Sequence, residues 1–368
     1  MHLTERRKTE HIAITISENV DSKLPPLFEC IFLIHRAIPE VNLEEVDLST
    51  IFLGKKINAP IIIAGMTGGS ELGGELNRAM ARAAQSLGLA MGVGSQRAAL
   101  EDPSLKKTFS VVREEAPDIP VIANIGASQL VKSEDYSSLA AELIDMVSAD
   151  AVAIHLNSLH EAVQPEGEPH YKGVAEAIKD FVKACPKPVI VKETGCGVSK
   201  EDAAILVKTG IHGIDVGGMG GTSFAMVEAL RAKTSGYFIE ERVANTFGSW
   251  GIPTAASILE VRSVAPSIPL IATGGIRSGL DAAKALRIGA DFVGIARPVI
   301  KAAFEGGYGG VKRYLTSIIR ELKVTTFLVG AHNIDEIKRK PAMVVGPLRE
   351  WIKIRKLEGV AKKLGLLF

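Results

Sequence analysis

The sequence contains few cysteines, few aromatic residues and no long hydrophobic run. Its 368 residues include only three cysteines, Cys30, Cys185 and Cys196, which lie far apart and show no CxxC spacing. They provide neither a disulfide framework nor a structural zinc site, and a reducing cytoplasm suits such a chain best. No apolar stretch reaches the roughly 18 residues of a membrane span, and the polar start predicts no secretion signal.

The chain also lacks an excess of charge of one sign. Forty-three basic and 42 acidic residues leave a formal charge of +1, so no overall field attracts nucleic acid or an anionic membrane. Aromatic residues make up 5% of the sequence and hydrophobic residues 46%. This balance favours an aliphatic core of parallel strands and helices over an all-β sandwich or a disordered chain. We therefore expect no nucleic-acid or membrane partner.

Eight short apolar runs follow one another along the chain, and most precede a helical pattern. They cover residues 60–65, 90–94, 120–124, 151–155, 188–192, 213–216, 269–273 and 291–295. Runs that are apolar on both faces indicate strands buried on both sides, and eight in succession predict an α/β fold of the (β/α)8 TIM-barrel type. A doubly wound parallel sheet is the alternative.

We expect a single domain over residues 1–368, since α/β barrels with added segments commonly reach this length. Residues 1–58 would form an N-terminal extension, 59–300 the barrel core, and 301–368 the last helix with a C-terminal helical tail. The long stretch between the sixth and seventh runs, which contains Ser235, Gly236, Tyr237 and residues 245–251, indicates an inserted loop or lid. Barrel enzymes place their chemistry at the C-terminal ends of the strands, so the residues directly after each run are the candidates for a site.

The loops after the seventh and eighth runs are suited to a phosphate group. Residues 274–279 follow the seventh run, and Ala296 and Arg297 follow the eighth. Small residues let backbone N–H groups approach an anion, and a helix N-terminus adds a favourable dipole. A third glycine-rich segment, 217–223, contains Thr222. These loops predict a phosphorylated cofactor or substrate, although glycines required only by tight turns are the alternative.

Polar side chains at the ends of other runs complete this prediction. Lys192 ends the fifth run, where it could stabilise negative charge on a flavin ring or, alternatively, balance a carboxylate. The residues after the first three runs are small or polar: Met66, Thr67, Gly68, Ser95 and Asn124. No GxGxxG fingerprint opens an N-terminal βαβ unit, which favours flavin mononucleotide over a Rossmann-bound dinucleotide.

A series of motifs runs in order over about residues 6–300. They are RKxxH at 7–11, MTGG at 66–69, GSQR at 94–97, HLN at 155–157, PEG at 165–167, KETG at 192–195, GGT at 220–222 and GGIR at 274–277. Together they resemble the type 2 isopentenyl diphosphate isomerases. The resemblance implies a homo-oligomeric enzyme of isoprenoid biosynthesis, a tetramer or octamer, that interconverts isopentenyl and dimethylallyl diphosphate. It also implies reduced FMN, Mg²⁺ and NAD(P)H as reductant.

The resemblance also implies roles for individual residues. The FMN contacts would be Met66, Thr67, Gly68, Ser95, Asn124, Lys192, Thr222, Gly275, Ile276, Arg277, Ala296 and Arg297. The substrate contacts would be Arg7, Lys8, His11, Ser95, Gln96, Arg97, His155, Asn157 and His160. Glu161 would be the metal ligand, with Asn157 close by. The family usually has Gln at position 160, whereas this chain has a histidine, which can itself donate or accept a proton.

The implied reaction moves a double bond by adding a proton at one carbon and removing one from another. An alkene is a very poor base, so strong acid catalysis in a dry site is required. No pair of Asp or Glu at an obvious spacing supplies it, and our hypothesis is that reduced FMN takes part as the acid and base. The candidate catalytic residues of the chain are His155, His160, Lys192 and Glu228.

The alternative function is an FMN-dependent oxidoreductase of the 2-hydroxy-acid oxidase type. Those enzymes share the barrel and the glycine-rich phosphate loops, but resemble one another in a His-Gly-x-Arg cluster after the sixth strand. This chain has GGMGGTS at 217–223, with neither His nor Arg. A barrel that merely binds phosphate is a third alternative, which the many polar strand ends disfavour.

Overall fold

A closed barrel of eight parallel strands forms the centre of the molecule. The structure is a computed structural model, which describes the backbone of residues 3–368 and the side chains from Arg7 onward. The strands are β1 (Ile61–Ile63), β2 (Ala90–Gly92), β3 (Val121–Gly126), β4 (Ala151–Leu156), β5 (Val189–Glu193), β6 (Gly213–Asp215), β7 (Leu270–Ala272) and β8 (Phe292–Ile295). Each pairs with the next, and β8 pairs with β1. The predicted (β/α)8 barrel is confirmed, and closure excludes the doubly wound sheet. Residues 1 and 2 of the predicted N-terminal extension lie outside the described part.

Helices surround the barrel in the order that the sequence predicts. After the strands they are Glu71–Leu87, Arg97–Glu101, Lys107–Glu115, Ala127–Val131, Tyr136–Val147, Ser158–Val163, Val174–Ala184, Lys200–Lys208, Phe224–Ser235, Phe238–Thr246, Thr254–Val264, Gly279–Arg287 and Arg297–Leu328. Ser70, Ser199 and Ser278 begin three of them, and each hydroxyl accepts the backbone N–H of the third helical residue. Such caps satisfy N–H groups that have no partner within the helix.

The N-terminal extension covers both ends of the barrel. Helix Leu3–Ser17 lies over the C-terminal ends of the strands, while the hairpin Thr50–Phe52 and Lys55–Ile57 lies beneath the N-terminal ends. Phe52 of this hairpin packs against Phe292, with ring centroids 4.6 Å apart. The hairpin therefore closes the hydrophobic interior from below and leaves the upper end for a site.

Two segments differ from the sequence predictions. The stretch expected as a loop or lid contains helix Phe238–Thr246, because Gly236, with φ of 76°, turns the chain directly from one helix into the next. The C-terminal tail is not purely helical: besides helices Ile334–Ile337, Gly346–Ile354 and Glu358–Lys363 it has strands Ala342–Val344 and Leu366–Leu367. These two join Ile31–Leu33 in a three-stranded sheet. Strands of two or three residues are too short to show a period.

No helix in the described part of the chain has both the length and the apolar character required to cross a bilayer.

The hairpin beneath the barrel provides a stability test. Phe52 is 4% exposed, whereas the neighbouring Ile51 is 60% exposed. We expect Phe52→Ala to lower the free energy of unfolding by about 3 kcal/mol, because it leaves a cavity under the strands. Ile51→Ala, the control, should change it by less than about 0.5 kcal/mol. Urea denaturation followed by circular dichroism measures both, and equal losses would show that the hairpin does not close the core.

Candidate active site

A cavity of about 270 Å³ lies at the C-terminal ends of the strands, beneath helix Leu3–Ser17. Twenty of the predicted site residues line it: Arg7, Lys8, His11, Met66, Thr67, Gly68, Ser95, Arg97, Asn124, His155, Asn157, His160, Glu161, Lys192, Thr222, Gly275, Ile276, Arg277, Ala296 and Arg297. Two others, Gln96 and Glu228, do not line it. The strand ends thus meet where the sequence places them.

Gln96 points into the protein rather than into the cavity. Its side-chain Nε2 donates to the carbonyl of Leu143 at 3.0 Å, and its Oε1 accepts the backbone N–H of Asn124 at 2.9 Å. The residue is fully buried. The expected substrate contact of Gln96 does not agree with this geometry, because both ends of the amide already link β3 to helix Tyr136–Val147.

The loops after β7 and β8 present backbone donors to one end of the cavity. Among the described residues, the backbone N–H groups of Gly275, Ile276 and Arg297 have no hydrogen-bond partner. Gly275 has φ of 75°, and a Cβ there would lie 2.7 Å from the carbonyl oxygen of Gly220. The tight turn therefore requires glycine, as one interpretation of this loop expects, and it also leaves N–H groups unpaired at the cavity. This set of donors suits the phosphate of FMN.

Arg297 holds the C-terminal end of helix Leu3–Ser17 in place. Its Nε donates to the carbonyl of Thr15 at 2.7 Å, and its Nη2 donates to that of Glu18. Its Nη1 lies 2.9 Å from Asp21, which Arg277 also contacts at 3.0 Å. A cation at this position stabilises the negative end of the helix dipole. The guanidinium of Arg297, which was expected to contact FMN, thus binds helix Leu3–Ser17, the covering helix of the cavity.

Lys8 holds the other end of the same helix. Its ammonium donates to the carbonyls of Gly68 at 2.8 Å and Ser95 at 2.6 Å, in the loops after β1 and β2. Burial, followed by the positive charge of Arg7, lowers the pKa of Lys8 to about 7. The helix is therefore bound across the barrel, from the first two strand ends to the eighth.

His155 is held as a neutral imidazole. Asn124 donates its amide to the carbonyl of Val93 at 3.0 Å, which leaves its Oδ1 to accept the Nδ1–H of His155 at 2.8 Å. Burial, with a contribution from the nearby Lys192, lowers the pKa of His155 to about 3. The Nε2 atom of His155 is then a hydrogen-bond acceptor at neutral pH. It becomes a donor only when a bound anion raises the pKa of the imidazole.

Asn157 and Glu161 form a group of oxygen ligands at the cavity wall. Asn157 donates its amide to Glu161 Oε1 at 2.9 Å, and the backbone N–H of Glu168 donates to Glu161 Oε2 at 2.8 Å. The hydroxyl of Tyr171 donates to Asn157 Oδ1 at 2.8 Å and fixes the amide. Each carboxylate oxygen retains a further lone pair, so the set fits a hard cation such as Mg²⁺.

Glu228 lies behind two histidines of the cavity wall. His11 Nε2 and His160 Nε2 contact the same oxygen, Glu228 Oε1, at 2.6 and 2.8 Å. Arg231 donates to the other oxygen at 2.7 Å. Burial alone would raise the pKa of Glu228, but the hydrogen bonds from the histidines hold it far below its usual value. The carboxylate therefore acts on the cavity only through the two imidazoles.

Three residues that shape this site are not among the site residues predicted from the sequence. Arg231 is one; its position three residues after Glu228 on the same helix was an available signal. Tyr171 is another, and nothing in the sequence marked it. Glu193 is a third: its Oε2 accepts backbone N–H groups of the loop that follows β5, including those of Thr194 and Gly195, both at 2.6 Å. This carboxylate fixes the loop beside Lys192, whose ammonium donates to the Glu193 carbonyl at 2.9 Å.

The attachment of the covering helix can be tested by proteolysis. Arg297→Ala removes three contacts to the chain between Thr15 and Asp21, so we expect trypsin to cleave at Arg7 and Lys8 at least about tenfold faster than in the unmodified protein. Lys301→Ala, on the same helix as Arg297 and half exposed, is the matched control and should change nothing. Equal cleavage rates for both variants would contradict this role of Arg297.

Comparisons with known proteins agree with this geometry. The family model of FMN-dependent dehydrogenases matches residues 156–344. An isopentenyl-diphosphate delta-isomerase of Methanopyrus kandleri is 48% identical over 95% of this chain and 94% of its own length. One of Methanosarcina mazei is 46% identical over 96% of each chain.

Solved structures show the same fold at low identity. A lactate oxidase of Pediococcus acidilactici is similar with a TM-score of 0.66 and 18% identity, covering 93% of each chain. A mandelate oxidase is similar with a TM-score of 0.63 and 17% identity, covering 92% of this chain and 97% of that one. At this identity these likenesses show the fold alone, whereas the relatives above match nearly the whole sequence at close to half of all positions. The chain therefore belongs to the isopentenyl-diphosphate delta-isomerase family, on the barrel of the FMN-dependent dehydrogenases, as its motifs predicted.

Proposed function

We propose that this chain interconverts isopentenyl diphosphate and dimethylallyl diphosphate, with FMN in its reduced form and Mg²⁺. One observation carries the proposal. A single cavity joins the backbone donors of the β7 and β8 loops to a group of cations and to the Asn157–Glu161 pair. A flavin phosphate and a metal-bound diphosphate are the two anions that such a cavity accommodates together.

The strand ends supply the flavin-binding residues. The N–H groups of Gly275, Ile276 and Arg297 would hold the phosphate, while Lys192 would lie near the polar edge of the ring. Reduced FMN would supply, when bound, the acid and base chemistry that no carboxylate pair among the described side chains offers. NAD(P)H is the reductant in this proposal.

Four residues of the cavity wall would bind the diphosphate. Arg7, Lys8 and Arg97 provide positive charge, and His155 lies beside them. Arg97 also pairs with Glu101 at 2.6 Å, which fixes its orientation. Arginine can grip phosphate oxygens with two parallel hydrogen bonds. Glu161, with Asn157 next to it, would hold Mg²⁺ against the same diphosphate, so the metal would arrive largely with the substrate.

His160 is the residue of the chain best placed to donate or accept a proton. It lines the cavity, and its Nε2 contacts Glu228 Oε1 at 2.8 Å. Glu228 is a positioning residue, because it is fully buried and reaches the cavity only through His11 and His160. His155 is better suited to binding than to proton transfer, since its Nδ1–H is already donated to Asn124.

Two further features belong to the same proposal. The chain functions in the cytoplasm, which agrees with its three free cysteines. It forms a homo-oligomer of four or eight subunits, which agrees with exposed apolar side chains on and beside helix Phe238–Thr246. These side chains are Tyr237, Phe238, Ile239 and Trp250. Apolar side chains exposed together often mark protein–protein interfaces.

The 2-hydroxy-acid oxidase alternative finds no support in the loop after β6. That loop contributes Gly217, Gly218 and Thr222 to the cavity, and no histidine or arginine follows β6 within it. We expect the enzyme to leave lactate and mandelate unoxidised.

The magnesium ligand can be tested by an anaerobic isomerase assay with added FMN, dithionite and Mg²⁺. We expect Glu161→Gln to lower kcat at least about a hundredfold, because the neutral amide binds Mg²⁺ poorly. Its flavin content, read from the visible spectrum, should stay unchanged. Glu176→Gln, at an exposed position, is the control and should retain full activity. Full activity of Glu161→Gln would show that Glu161 has no part in the mechanism. Failure of the unmodified protein to bind FMN would overturn the whole proposal.

The lowered pKa of Lys8 predicts proton uptake on substrate binding. At pH 8 the buried amine, with a pKa of about 7, is mostly neutral in the free protein. A bound diphosphate raises that pKa, so the complex should take up close to one proton at pH 8 and almost none at pH 6.

Calorimetric titration of the oxidised protein with isopentenyl diphosphate, in buffers of different ionisation enthalpy, measures this proton. Oxidised FMN prevents turnover during the titration. Lys8→Arg, which stays charged at every pH used, should bind the substrate without the uptake. An uptake that persists in Lys8→Arg would assign the proton to another group.

A further inference from the structure

His11, His160 and Glu228 form a cluster that the proposed reaction does not fully explain. We propose that these three residues bind one divalent transition-metal ion of the Zn²⁺ or Co²⁺ type. This site is separate from the magnesium site proposed at Glu161, and the binding itself does not depend on the proposed function.

The ligand atoms are already gathered in space. His11 Nε2, His160 Nε2 and Glu228 Oε1 all lie within 4.8 Å of one another. Ligand atoms around one tetrahedral ion, at about 2.0–2.1 Å from the metal, are about 3.3 Å apart. The two nitrogens lie 2.6 and 2.8 Å from the carboxylate oxygen, so an ion requires these two separations to widen by roughly 0.5–0.7 Å. Two imidazoles and one carboxylate suit borderline transition metals better than Mg²⁺.

Neighbouring side chains hold these ligands in position. Glu228 has no exposed surface, and Arg231 fixes its second oxygen at 2.7 Å, so that Oε1 is turned toward the histidines. His160 stacks on the ring of Phe224, with centroids 4.7 Å apart and planes at 28°. Arg231 also contacts Glu166 at 3.0 Å and Glu10 at 3.1 Å, so one positive charge is shared among three carboxylates. Outer contacts of this kind orient metal ligands and strengthen binding.

The position of the cluster predicts what the ion would do. His11 and His160 line the cavity, so the remaining coordination positions would face it. His11 comes from helix Leu3–Ser17, whereas His160 and Glu228 come from helices Ser158–Val163 and Phe224–Ser235. The ion would therefore cross-link helix Leu3–Ser17 to two helices of the barrel. It would also occupy both Nε2 atoms, so metal binding and proton transfer at His160 exclude each other.

Co²⁺ is the probe for this site, because its ligand-field spectrum reports imidazole coordination. The FMN-containing, oxidised protein is freed of metal by dialysis against a chelator and titrated with Co²⁺ by calorimetry and visible spectroscopy. We expect one Co²⁺ per chain. His160→Gln and His11→Gln should each weaken binding at least tenfold, because each removes one of three protein ligands. His11 lies on the covering helix, so its variant leaves the barrel intact, and flavin content verifies the fold of both.

Two controls decide the location of the ion. His332→Gln alters the other His–Glu pair of the described chain, an exposed one with 3.2 Å between the partners, and should leave Co²⁺ binding unchanged. Glu161→Gln should also retain it. Binding that is unchanged in both His160→Gln and His11→Gln would overturn the proposal. Loss of binding in Glu161→Gln would overturn it as well, by moving the ion to the magnesium site. No turnover is measured, so failure of the isomerase proposal would leave this result intact.

Discussion

The attachment of the N-terminal helix across the barrel is the interaction on which the site depends. Lys8 binds the carbonyls of Gly68 and Ser95 at the first two strand ends, and Arg297 binds the last carbonyls of the helix near the eighth. Without this helix the cavity would be an open depression, because Arg7, Lys8 and His11 all come from it. With it, charged groups face one another in a partly enclosed space, where electrostatic interactions are stronger than in open water.

Under the proposed function, the charges in that space would serve to bind an anion. Burial lowers the pKa values of Lys8 and His155 to about 7 and 3, since desolvation penalises their charged forms. A bound diphosphate would offset part of this desolvation free energy. Binding of the diphosphate would therefore be coupled to proton uptake by the site. Glu228 differs: its hydrogen bonds from His11 and His160 and its ion pair with Arg231 keep it ionised. In the proposed mechanism, the binding groups and the proton-holding groups would therefore lie in separate parts of one wall.

Much of this arrangement could be predicted from the sequence, because barrel strands are short apolar runs and their following residues necessarily meet at one end. The cavity residues Asn124, Lys192 and Gly275 were found in this way. The three-stranded sheet was not predicted, because Ile31–Leu33 pairs with a strand about 300 residues away in the sequence. Both strands are also too short to show an alternation of apolar and polar residues. The direction of Gln96 and the contact of Tyr171 with Asn157 depend on long-range packing, which spacing along a chain does not reveal.

We propose that the N-terminal helix and the strand ends form one binding cavity for the diphosphate. Hydrogen–deuterium exchange of the oxidised, FMN-containing protein, with and without isopentenyl diphosphate and Mg²⁺, can decide this. We expect the substrate to slow exchange together in Leu3–Ser17 and in helix Ser158–Val163, which carries His160 and Glu161. Substrate binding that protects helix Ser158–Val163 while exchange in Leu3–Ser17 stays unchanged would contradict it.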